Sequence, residues 1–474
     1  MLTACSAGDD ITGGNNTADN SNTIDGYDKA DLTPISLGIS SPISTTTRST
    51  GTVGGTTVET NKWNGQTLWL FMTYKQGQDE TKYGKGVMPA VFYDADGKAS
   101  KDIELFNNRK MTAPASDAET VVSLANGSGK AITCADGSIN YYPMTGTFNF
   151  FGYHVDDAAT TITGDDDQTK VPQVTYRTSA TGTTTNPAEA TIITVPVTID
   201  GSQDLMVGTT TANDPDKLTE TTLSNNVKSK FYSAFAARKN VHPILTFNHA
   251  LSRFTFQVVA GDRTSAGLAE YKDQTQKTDL EELKTTPAKI TGIYLNSNTV
   301  NELVIADPLN RVDGNFIGTW SEPKDLALKE LNAAKTATQD LTATKLEWDT
   351  TASEEAGKPV SVGDALMLEP GKSSYEGYVT VEQWVKTGTT TEKLPDETDK
   401  VDGQTYSGTW TKVTHRFPFT VTIPEADGGT AKAGTSYNVK IWVYGLTELK
   451  VYVTANPKAW NPSTEDIVVN KDED

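Results

Sequence analysis

The chain has 474 residues, with 61 Asp or Glu against 41 Lys or Arg, which gives a formal net charge of −20. Phosphate backbones repel so acidic a protein, which argues against nucleic acid as a partner. A hydrophobic fraction of 36% allows cores for two or three domains, but no run of about 18 apolar residues is present to span a bilayer as a helix.

The first residues are typical of a lipoprotein. Leu2-Thr3-Ala4-Cys5 resembles a bacterial lipobox, in which small residues precede the cysteine that carries the lipid. Only Met1 stands before this box, whereas a signal peptide needs a basic end and roughly 7–15 apolar residues. We therefore expect that the leader was trimmed from the sequence or that the true start lies upstream. An ordinary exposed cysteine near a flexible end is the alternative.

Residues 6–30 are small, polar and glycine-rich, which predicts a tether rather than a packed core. Together with the lipobox they define a segment 1–30. If Cys5 carries lipid, Cys134 stands alone, and cysteine can build neither a disulfide framework nor a metal cluster. A Cys5–Cys134 disulfide remains as a less favoured alternative because Cys5 lies in the tether.

A first set of strands follows. Threonine is more frequent than Lys and Arg together, and β-branched residues favour strands. TLWLFMTY at 67–74 has apolar residues on both faces, which predicts a strand covered on both sides or lying near a sheet edge. GTFNFFGYHV predicts another strand. TIITVPVTI places Ile193, Val195, Val197 and Ile199 on one face, and Pro196 restricts this strand to an edge or a bulge.

The polar stretch 208–240 is predicted to be a loop or a connection between domains, with part of it in a short helix. A second set of strands begins with HPILTFNHALSRFTFQVVAG, where Phe254 alternates with outward-facing Arg253. Residues 325–348 contain good helix formers without an apolar stripe and are predicted to be an insertion. Four further strand patterns end the chain, in EGYVTVEQWV, HRFPFTVTIP, TSYNVKIWVYG and LKVYVTAN. The sequence therefore predicts an all-β protein with two sandwiches that divide near residue 240.

No motif predicts catalysis. HExxH, GxSxG and a Walker loop are missing from the sequence, and three of the four histidines lie far from ligand-type neighbours. The fourth, His249, is predicted to make a structural hydrogen bond. The acidic run Asp165-Asp166-Asp167 lacks the alternation and terminal glutamate of a calcium loop, although the use of calcium is left open. We predict no enzyme activity, no cofactor and no metal centre.

Arg48 is the one residue at which an event is predicted. It is the single basic residue within PISTTTRSTGTVGGTT, a run of small, polar residues. An arginine-specific protease needs an accessible, extended backbone, and this segment is predicted to offer one. The alternative is a surface arginine without a special role.

Taken in order, these segments resemble the fimbrillin family, the type V pilins of Bacteroides-type bacteria. The resemblance covers nearly the whole chain. It lies in TTTRSTGTVGG with TNKWNGQTLWLFMTY, in SQDLMVG, in LTFNHALSRFTFQV and in AGTSYNVKIWVYGLTELKVYVTANPKAWNP. The family implies two tandem transthyretin-like, Greek-key sandwiches with long loops and a few short helices, here at 31–240 and 241–474.

The resemblance also implies a mechanism. The precursor would be lipid-anchored in the outer membrane through Cys5, and an arginine-specific protease would cut after Arg48. The first strand, at about 32–48, would then be lost, and a strand from another subunit would replace it in an extracellular fimbrium. The donor would be the region of about 437–474, with these residues implied: Tyr437, Val439, Ile441, Val443, Leu449, Val451, Val453 and Trp460.

Three functions stay open. The first is a structural pilin whose partners are other pilin subunits, in a homopolymer or a mixed fimbria. The second is a fimbrial tip or anchored adhesin that keeps its lipid and binds a host glycan or protein. The third, a secreted hydrolase with accessory sandwiches, has no acid–base constellation to support it. Cleavage at Arg48 separates the first two functions because it releases the lipid.

Overall fold

In the computed structural model, the described residues are 23–24, 27–28, 32–39, 67–74, 90–93, 99–114, 121–124, 127–135, 137, 139–143, 146–155, 174–177, 192–212, 232–238, 243–261, 285–307, 312–332, 338–348, 357–390, 393–401, 403–425, 428–444, 446 and 449–456. Strands make up most of these residues, so the prediction of an all-β protein is confirmed.

The first half of the chain contributes strands that are mostly short. They are β1 (Thr23–Ile24), β2 (Tyr27–Asp28), β3 (Leu37–Ile39), β4 (Thr67–Tyr74), β5 (Ala90–Tyr93), β6 (Ala99–Leu105), β7 (Arg109–Thr112), β8 (Val121–Leu124), β9 (Gly127–Cys134), β10 (Phe148–Val155), β11 (Thr175–Arg177), β12 (Ile192–Thr198), β13 (Leu205–Ala212) and β14 (Pro243–His249). A helix of five residues, α1 (Ala234–Arg238), lies between the last two.

The second half contains the longer strands. They are β15 (Ser252–Ala260), β16 (Lys289–Ala306), β17 (Phe316–Ala327), β18 (Lys329–Leu331), β19 (Thr338–Asp340), β20 (Thr344–Lys345), β21 (Glu347–Trp348), β22 (Gly357–Lys358), β23 (Val360–Leu368), β24 (Ser374–Gly388), β25 (Thr409–Thr422), β26 (Ser436–Val443) and β27 (Leu449–Asn456). A 3₁₀-helix at Glu397–Asp399 lies in the connection from β24 to β25.

The first sheet closes on itself. Its strand order is β3-β14-β13-β10-β4-β7-β9-β8, and β3 pairs with β9 as well as with β14. We call β3, β4, β7, β9, β10, β13 and β14 the closed sheet. Because β3 pairs on both of its sides, the closed sheet has no unpaired strand edge at β3.

Two further sheets, built mostly from strands of the second half, pack face to face, and we call them the sandwich. One contains β11, β12, β16, β24 and β25 in that order, with β17 and β20 also paired to β16. The other has the order β23-β15-β26-β27. Apolar residues of both inner faces fill the space between them, and this sandwich core includes Phe254, Phe256, Val258, Ile290, Ile293, Leu295, Tyr375, Val379, Val381, Phe417, Val421, Tyr437, Val439, Ile441 and Val443.

A separate apolar cluster joins the closed sheet to the sandwich, and we call it the junction core. Its members include Trp69, Phe71, Phe151, Tyr153, Val155, Ile193, Val195, Val197, Leu205, Leu251, Leu303, Ile305 and Met367. The junction core explains the composition of β4. Its alternate residues Leu68, Leu70 and Met72 fill the closed sheet, while Trp69 and Phe71 face the junction core. The prediction that this strand is covered on both sides is confirmed.

The sequence predicts a domain boundary near residue 240, but two strands pair with strands that lie on the other side of this boundary in the chain. β12 precedes it in the chain but pairs with β16, in the sandwich. β14 follows it but pairs with β13, in the closed sheet. Pro196 lies where β12 pairs only with β16, since β11 covers no more than Ile192 to Thr194, as expected for proline in a strand. The two predicted domains remain a prediction, and the halves of the chain exchange strands.

Candidate functional site

β3 closes the first sheet because it pairs with two strands that are far apart in the sequence. On one side it runs antiparallel to β9, with Leu37 opposite Ile132. On the other side it runs parallel to β14, with Ile39 opposite Leu245. Both edges of this short strand are therefore bonded to neighbours. We call β3 and the facing edges of β9 and β14 the first-strand site.

The residues just before β3 extend the pairing. The backbone N–H of Tyr142 donates a hydrogen bond to the carbonyl of Thr33 at 2.9 Å. The N–H of Ile35 donates to the carbonyl of Asn140 at 2.8 Å. Residues 32–39, which we call the first-strand segment, are thus held by ladder hydrogen bonds along much of their length.

The side chains of the first-strand segment supply part of a core. Leu37 is 2% exposed and Ile39 is 1% exposed. Half-buried Ile35 packs against the same cluster, whose other members include Leu68, Leu70, Met72, Phe106, Met111, Ile132, Tyr142, Phe148, Phe150, Met206, Tyr232, Leu245 and Phe247. Several of these aromatic rings meet edge to face, with Phe150 contacting Phe106, Tyr142 and Tyr232.

This arrangement defines what the site can do. Removal of the first-strand segment would leave the facing edges of β9 and β14 without backbone partners and would open the core of the closed sheet. Each unpaired buried group costs about 1–3 kcal/mol, and each buried aliphatic side chain contributes about 1.5–3 kcal/mol. A vacated site would therefore bind an extended chain that restores both the ladder and the apolar side chains.

The predicted donor residues fall into two groups. Four of them lie in a row on β26 and are 0% exposed within the sandwich core, namely Tyr437, Val439, Ile441 and Val443. β26 is an internal strand, parallel to β15 on one side and antiparallel to β27 on the other. The register of β27 sets Leu449, Val451 and Val453 opposite three of these four, and β27 forms the edge of its sheet.

Three predicted residues lie outside the described part of the chain. They are the lipidation residue Cys5, the processing residue Arg48 and the C-terminal Trp460. Lipidation, cleavage and the role of this tryptophan therefore stay predictions.

The two most distinctive sequence segments meet at the junction core. SQDLMVG forms the start of β13 and LTFNHALSRF forms β14 and the start of β15, with Met206 opposite His249 in the ladder. His249 Nδ1 donates a hydrogen bond to the Asp204 carboxylate at 2.9 Å, and both side chains are almost fully buried. The prediction of a structural hydrogen bond for His249 is confirmed.

Arg253 corrects one prediction from β-strand alternation. We expected this residue to face solvent, but it is only 3% exposed. Its guanidinium donates to Ser436 Oγ at 3.1 Å. Burial lowers the pKa of Arg253 to about 10, although the negative charges of Asp204 and Asp364 act in the opposite direction and raise it. The outer face of this strand is covered here by the junction, which a period-2 pattern does not reveal.

Among the described residues, no group of three or more His, Cys, Asp or Glu is placed to hold a metal ion. The same residues include no helix that is both long and apolar enough to cross a membrane. His154 is buried, and its Nδ1 lies 2.8 Å from the backbone carbonyl of Thr67, which suits a structural role. Asp165 to Asp167 lie outside the described residues.

Sequence reasoning missed the two walls of the first-strand site. β9 (Gly127–Cys134) was not among the predicted strands, and β14 was assigned to the second sandwich. The available signal for β9 was weak, because GSGKAITC contains two glycines and few apolar residues. For β14, the turn at Ala250 and Leu251 between two strand-like runs was the feature that could have separated it from β15.

No family model matches the chain, and no curated protein matches it significantly. Solved structures give a weak likeness. A candidate cell adhesion protein from Bacteroides uniformis is 11% identical with a TM-score of 0.34, covering 90% of this chain and 97% of its own. The fimbrial anchor protein Mfa2 from Porphyromonas gingivalis is 10% identical with a TM-score of 0.25, covering 90% and 98%. A fimbrial assembly protein from Parabacteroides distasonis is 11% identical with a TM-score of 0.25, covering 89% and 95%.

The similar structures are fimbrial or candidate cell adhesion proteins. At these TM-scores the likeness decides neither the fold nor the function of this chain.

Proposed function

We propose that the chain is a structural subunit of a cell-surface fimbria that polymerises by donor-strand exchange at the first-strand site. The precursor is exported as a lipoprotein through Cys5 and cut after Arg48, and the subunit then resides in an extracellular fimbrium. Two tandem transthyretin-like sandwiches form the proposed domain plan. The first-strand segment carries the proposal, because it precedes Arg48 in sequence and closes the first sheet with both of its edges bonded.

The energetics favour exchange over simple loss of the strand. After a cut at Arg48, residues 32–39 would be held only by non-covalent contacts. Their departure would expose the positions of Leu37 and Ile39 at about 1.5–3 kcal/mol each, together with unpaired backbone groups. A strand from a second subunit that offers the same ladder and apolar side chains offsets this loss. Cleavage removes the covalent tie that otherwise favours the intramolecular strand.

The donor is proposed to be β27 with the residues after it, within the predicted region 437–474. β27 is the edge of its sheet, so its release breaks one ladder only. Release of β26 would break two ladders and empty four fully buried positions of the sandwich core. β26 therefore stays as the base from which the donor extends. A contact of one end of a subunit with the opposite end of the next gives an open filament.

The alternative is a fimbrial anchor or tip adhesin that is not cut and that binds a host glycan or protein. One observation favours it, since the first-strand segment already completes the sheet in the intact chain. An uncut subunit therefore needs no donor strand from a partner at its first-strand site, and a subunit that stays anchored would have this property.

The test uses the chain with Cys5→Ser, purified as a soluble monomer and treated with a trace of an arginine-specific protease. The pilin proposal predicts a new N-terminus after Arg48 and a ladder of heat-labile multimers on an unboiled denaturing gel. The matched control is Arg48→Lys, which keeps the charge but removes the arginine. It should give neither product. A monomer that resists the protease, or a cut that yields no ladder, overturns self-polymerisation and supports the anchor or tip.

A further inference from the structure

A largely buried pair of opposite charges lies within the sandwich. Lys289 is the first residue of β16, and Asp399 ends the 3₁₀-helix between β24 and β25. The Lys289 Nζ contacts Asp399 Oδ1, while Trp384 Nε1 donates to Asp399 Oδ2 at 2.8 Å. The lysine and aspartate side chains are only 19% and 5% exposed.

A second carboxylate stands beside this pair. Glu382 lies directly opposite Lys289 in the ladder between β24 and β16, and directly opposed side chains in a sheet lie about 5 Å apart. Lys412 Nζ lies 3.2 Å from Glu382 Oε1 and 3.9 Å from Asp399 Oδ2. The same ammonium lies over the Trp384 ring, 5.3 Å from its centroid. Lys289, Asp399, Glu382 and Lys412 thus form one cluster of charged groups beside the Trp384 indole.

We propose that Lys289 and Asp399 condense to an intramolecular isopeptide bond, with Glu382 as the group that relays the proton. Transfer of a proton from the ammonium to the carboxylate within their contact gives a neutral amine and a carboxylic acid. The amine nitrogen then attacks Cγ of Asp399 and forms the N–C bond. A Cγ–O bond breaks, and Glu382 carries the second amine proton to the departing hydroxyl. One water leaves, and no oxidant or other reactant is consumed.

The surroundings assign a role to each remaining group. Trp384 Nε1 holds Oδ2, the oxygen that stays as the amide carbonyl and that bears negative charge in the tetrahedral intermediate. Burial raises the pKa of the Asp399 carboxyl, but the contacts of Lys289 and Trp384 bring it below its usual range. The resting pair is therefore ionic, and the ammonium of Lys289 is the proton source. Condensation removes both charges, and with them the desolvation penalty of burying an ion pair.

The bond would tie the start of β16 to the connection between β24 and β25. These three strands are neighbours in one sheet of the sandwich. A covalent tie between them closes a long loop, which restricts the unfolded chain in the way that a disulfide does. With this bond in place, the start of β16 could not separate from the connection between β24 and β25 when force is applied to the chain. The inference does not depend on polymerisation, since it concerns a single chain.

The experiment is mass spectrometry of the purified, non-lipidated full chain after denaturation. The proposal predicts a mass lower than the sequence requires by one water molecule. After proteolysis, one branched species should contain the peptides of Lys289 and Asp399 joined together. Lys289→Arg keeps the positive charge but cannot form this amide, and it should restore the full mass. The wild-type result alone decides the proposal, so a variant that fails to fold does not obscure it.

An internal control is the Lys358–Glu347 ion pair, whose atoms are 2.7 Å apart but whose side chains are 58% and 49% exposed. Its peptides should separate completely. Glu382→Gln should be purified largely without the link, because the proton relay is lost. A full sequence mass for the wild type, with the two peptides recovered separately, overturns the isopeptide bond. A fully linked Glu382→Gln variant overturns the relay by Glu382.

Discussion

His249 Nδ1 and the Asp204 carboxylate are 2.9 Å apart, at the point where the closed sheet passes into the sandwich. β14 ends at His249, and β15 begins at Ser252 after a turn of two residues. The hydrogen bond therefore joins the start of β13 to the chain as it turns from one sheet to the next. Arg253, four residues after His249, is also buried, and its positive charge interacts with the same aspartate.

The first prediction concerns this buried network. Asp204→Ala removes the acceptor of His249 and leaves Arg253 with one fewer opposing charge. Loss of one partner from a buried ion pair costs about 3–5 kcal/mol, and we expect a loss of this size in the free energy of unfolding. Urea-induced unfolding followed by tryptophan fluorescence measures it.

The matched control for that prediction is Asp325→Ala. Asp325 is 49% exposed, and its carboxylate lies 3.9 Å from the guanidinium of Arg416. Exposed ion pairs contribute about 0–1 kcal/mol, so this variant should differ little from the wild type. Equal losses from Asp204→Ala and Asp325→Ala would contradict the role given to the buried network.

Several of the longer strands could be predicted from the sequence, because their apolar residues alternate. TLWLFMTY, TSYNVKIWVYG and LKVYVTAN became β4, β26 and β27 with nearly the predicted bounds. The pairing of strands could not be predicted in the same way. Alternation shows which face of a strand is buried but not which distant strand lies beside it. The exchange of β12 and β14 between the two halves was invisible for this reason.

The first-strand site was predictable only in part. The resemblance implied a removable first strand at about 32–48, but no local pattern of residues had marked β3. Its parallel pairing with β14 brings together segments about 200 residues apart, and no local pattern encodes such a contact. Residues 325–348 show a similar limit. They have helix-forming composition but supply the end of β17 and the short strands β18 to β21. Of these, β17 and β20 pair with β16, whereas β18 pairs with β19 and β21 pairs with β22.

The second prediction concerns two glycines that face each other in the closed sheet. Gly152 of β10 pairs with Gly208 of β13, and the ring of Phe247 covers both. A Cβ at position 152 would lie 2.4 Å from Leu70 Cδ2, and a Cβ at position 208 would lie 2.8 Å from the Phe247 ring. Overpacking of this kind costs about 1–3 kcal/mol, so Gly152→Ala should lower the free energy of unfolding by that amount.

Gly388→Ala is the control for the glycine pair. This glycine also lies in a strand, but a Cβ there would meet only Thr409 atoms at 3.5 Å, an ordinary contact. The variant should be neutral or slightly stabilising, since alanine restricts the unfolded chain. A neutral Gly152→Ala variant would show that Leu70 and Phe247 can move aside, and that the close approach of the ring is not required.

The third prediction links stability to assembly. Leu37→Ala removes a side chain that is 2% exposed, which should cost the uncut chain about 2–5 kcal/mol. If the first-strand segment must leave before a donor enters, the same variant should form multimers faster than the wild type after the cut at Arg48. Thermal unfolding of the uncut chain and a gel time course after proteolysis measure the two effects.

Pro34→Ala provides the comparison, because Pro34 belongs to the same segment but is exposed. It should leave both stability and the assembly rate close to those of the wild type. A Leu37→Ala variant that is destabilised but assembles no faster would separate the first-strand site from the rate-limiting step of polymerisation.

The last prediction concerns a tyrosine that fixes the end of the sandwich core. The Tyr375 hydroxyl donates a hydrogen bond of 2.5 Å to the backbone carbonyl of Glu369, and its ring meets Phe254 edge to face. Tyr375→Phe keeps the ring but leaves a buried carbonyl without this donor, which should cost about 1–3 kcal/mol in unfolding free energy. Tyr378→Phe keeps a partly exposed ring that stacks on Tyr294 outside the sandwich core, and this variant should be nearly neutral. If both variants unfold at the wild-type urea concentration, the hydroxyl of Tyr375 contributes nothing, and packing of its ring alone holds this end of the core.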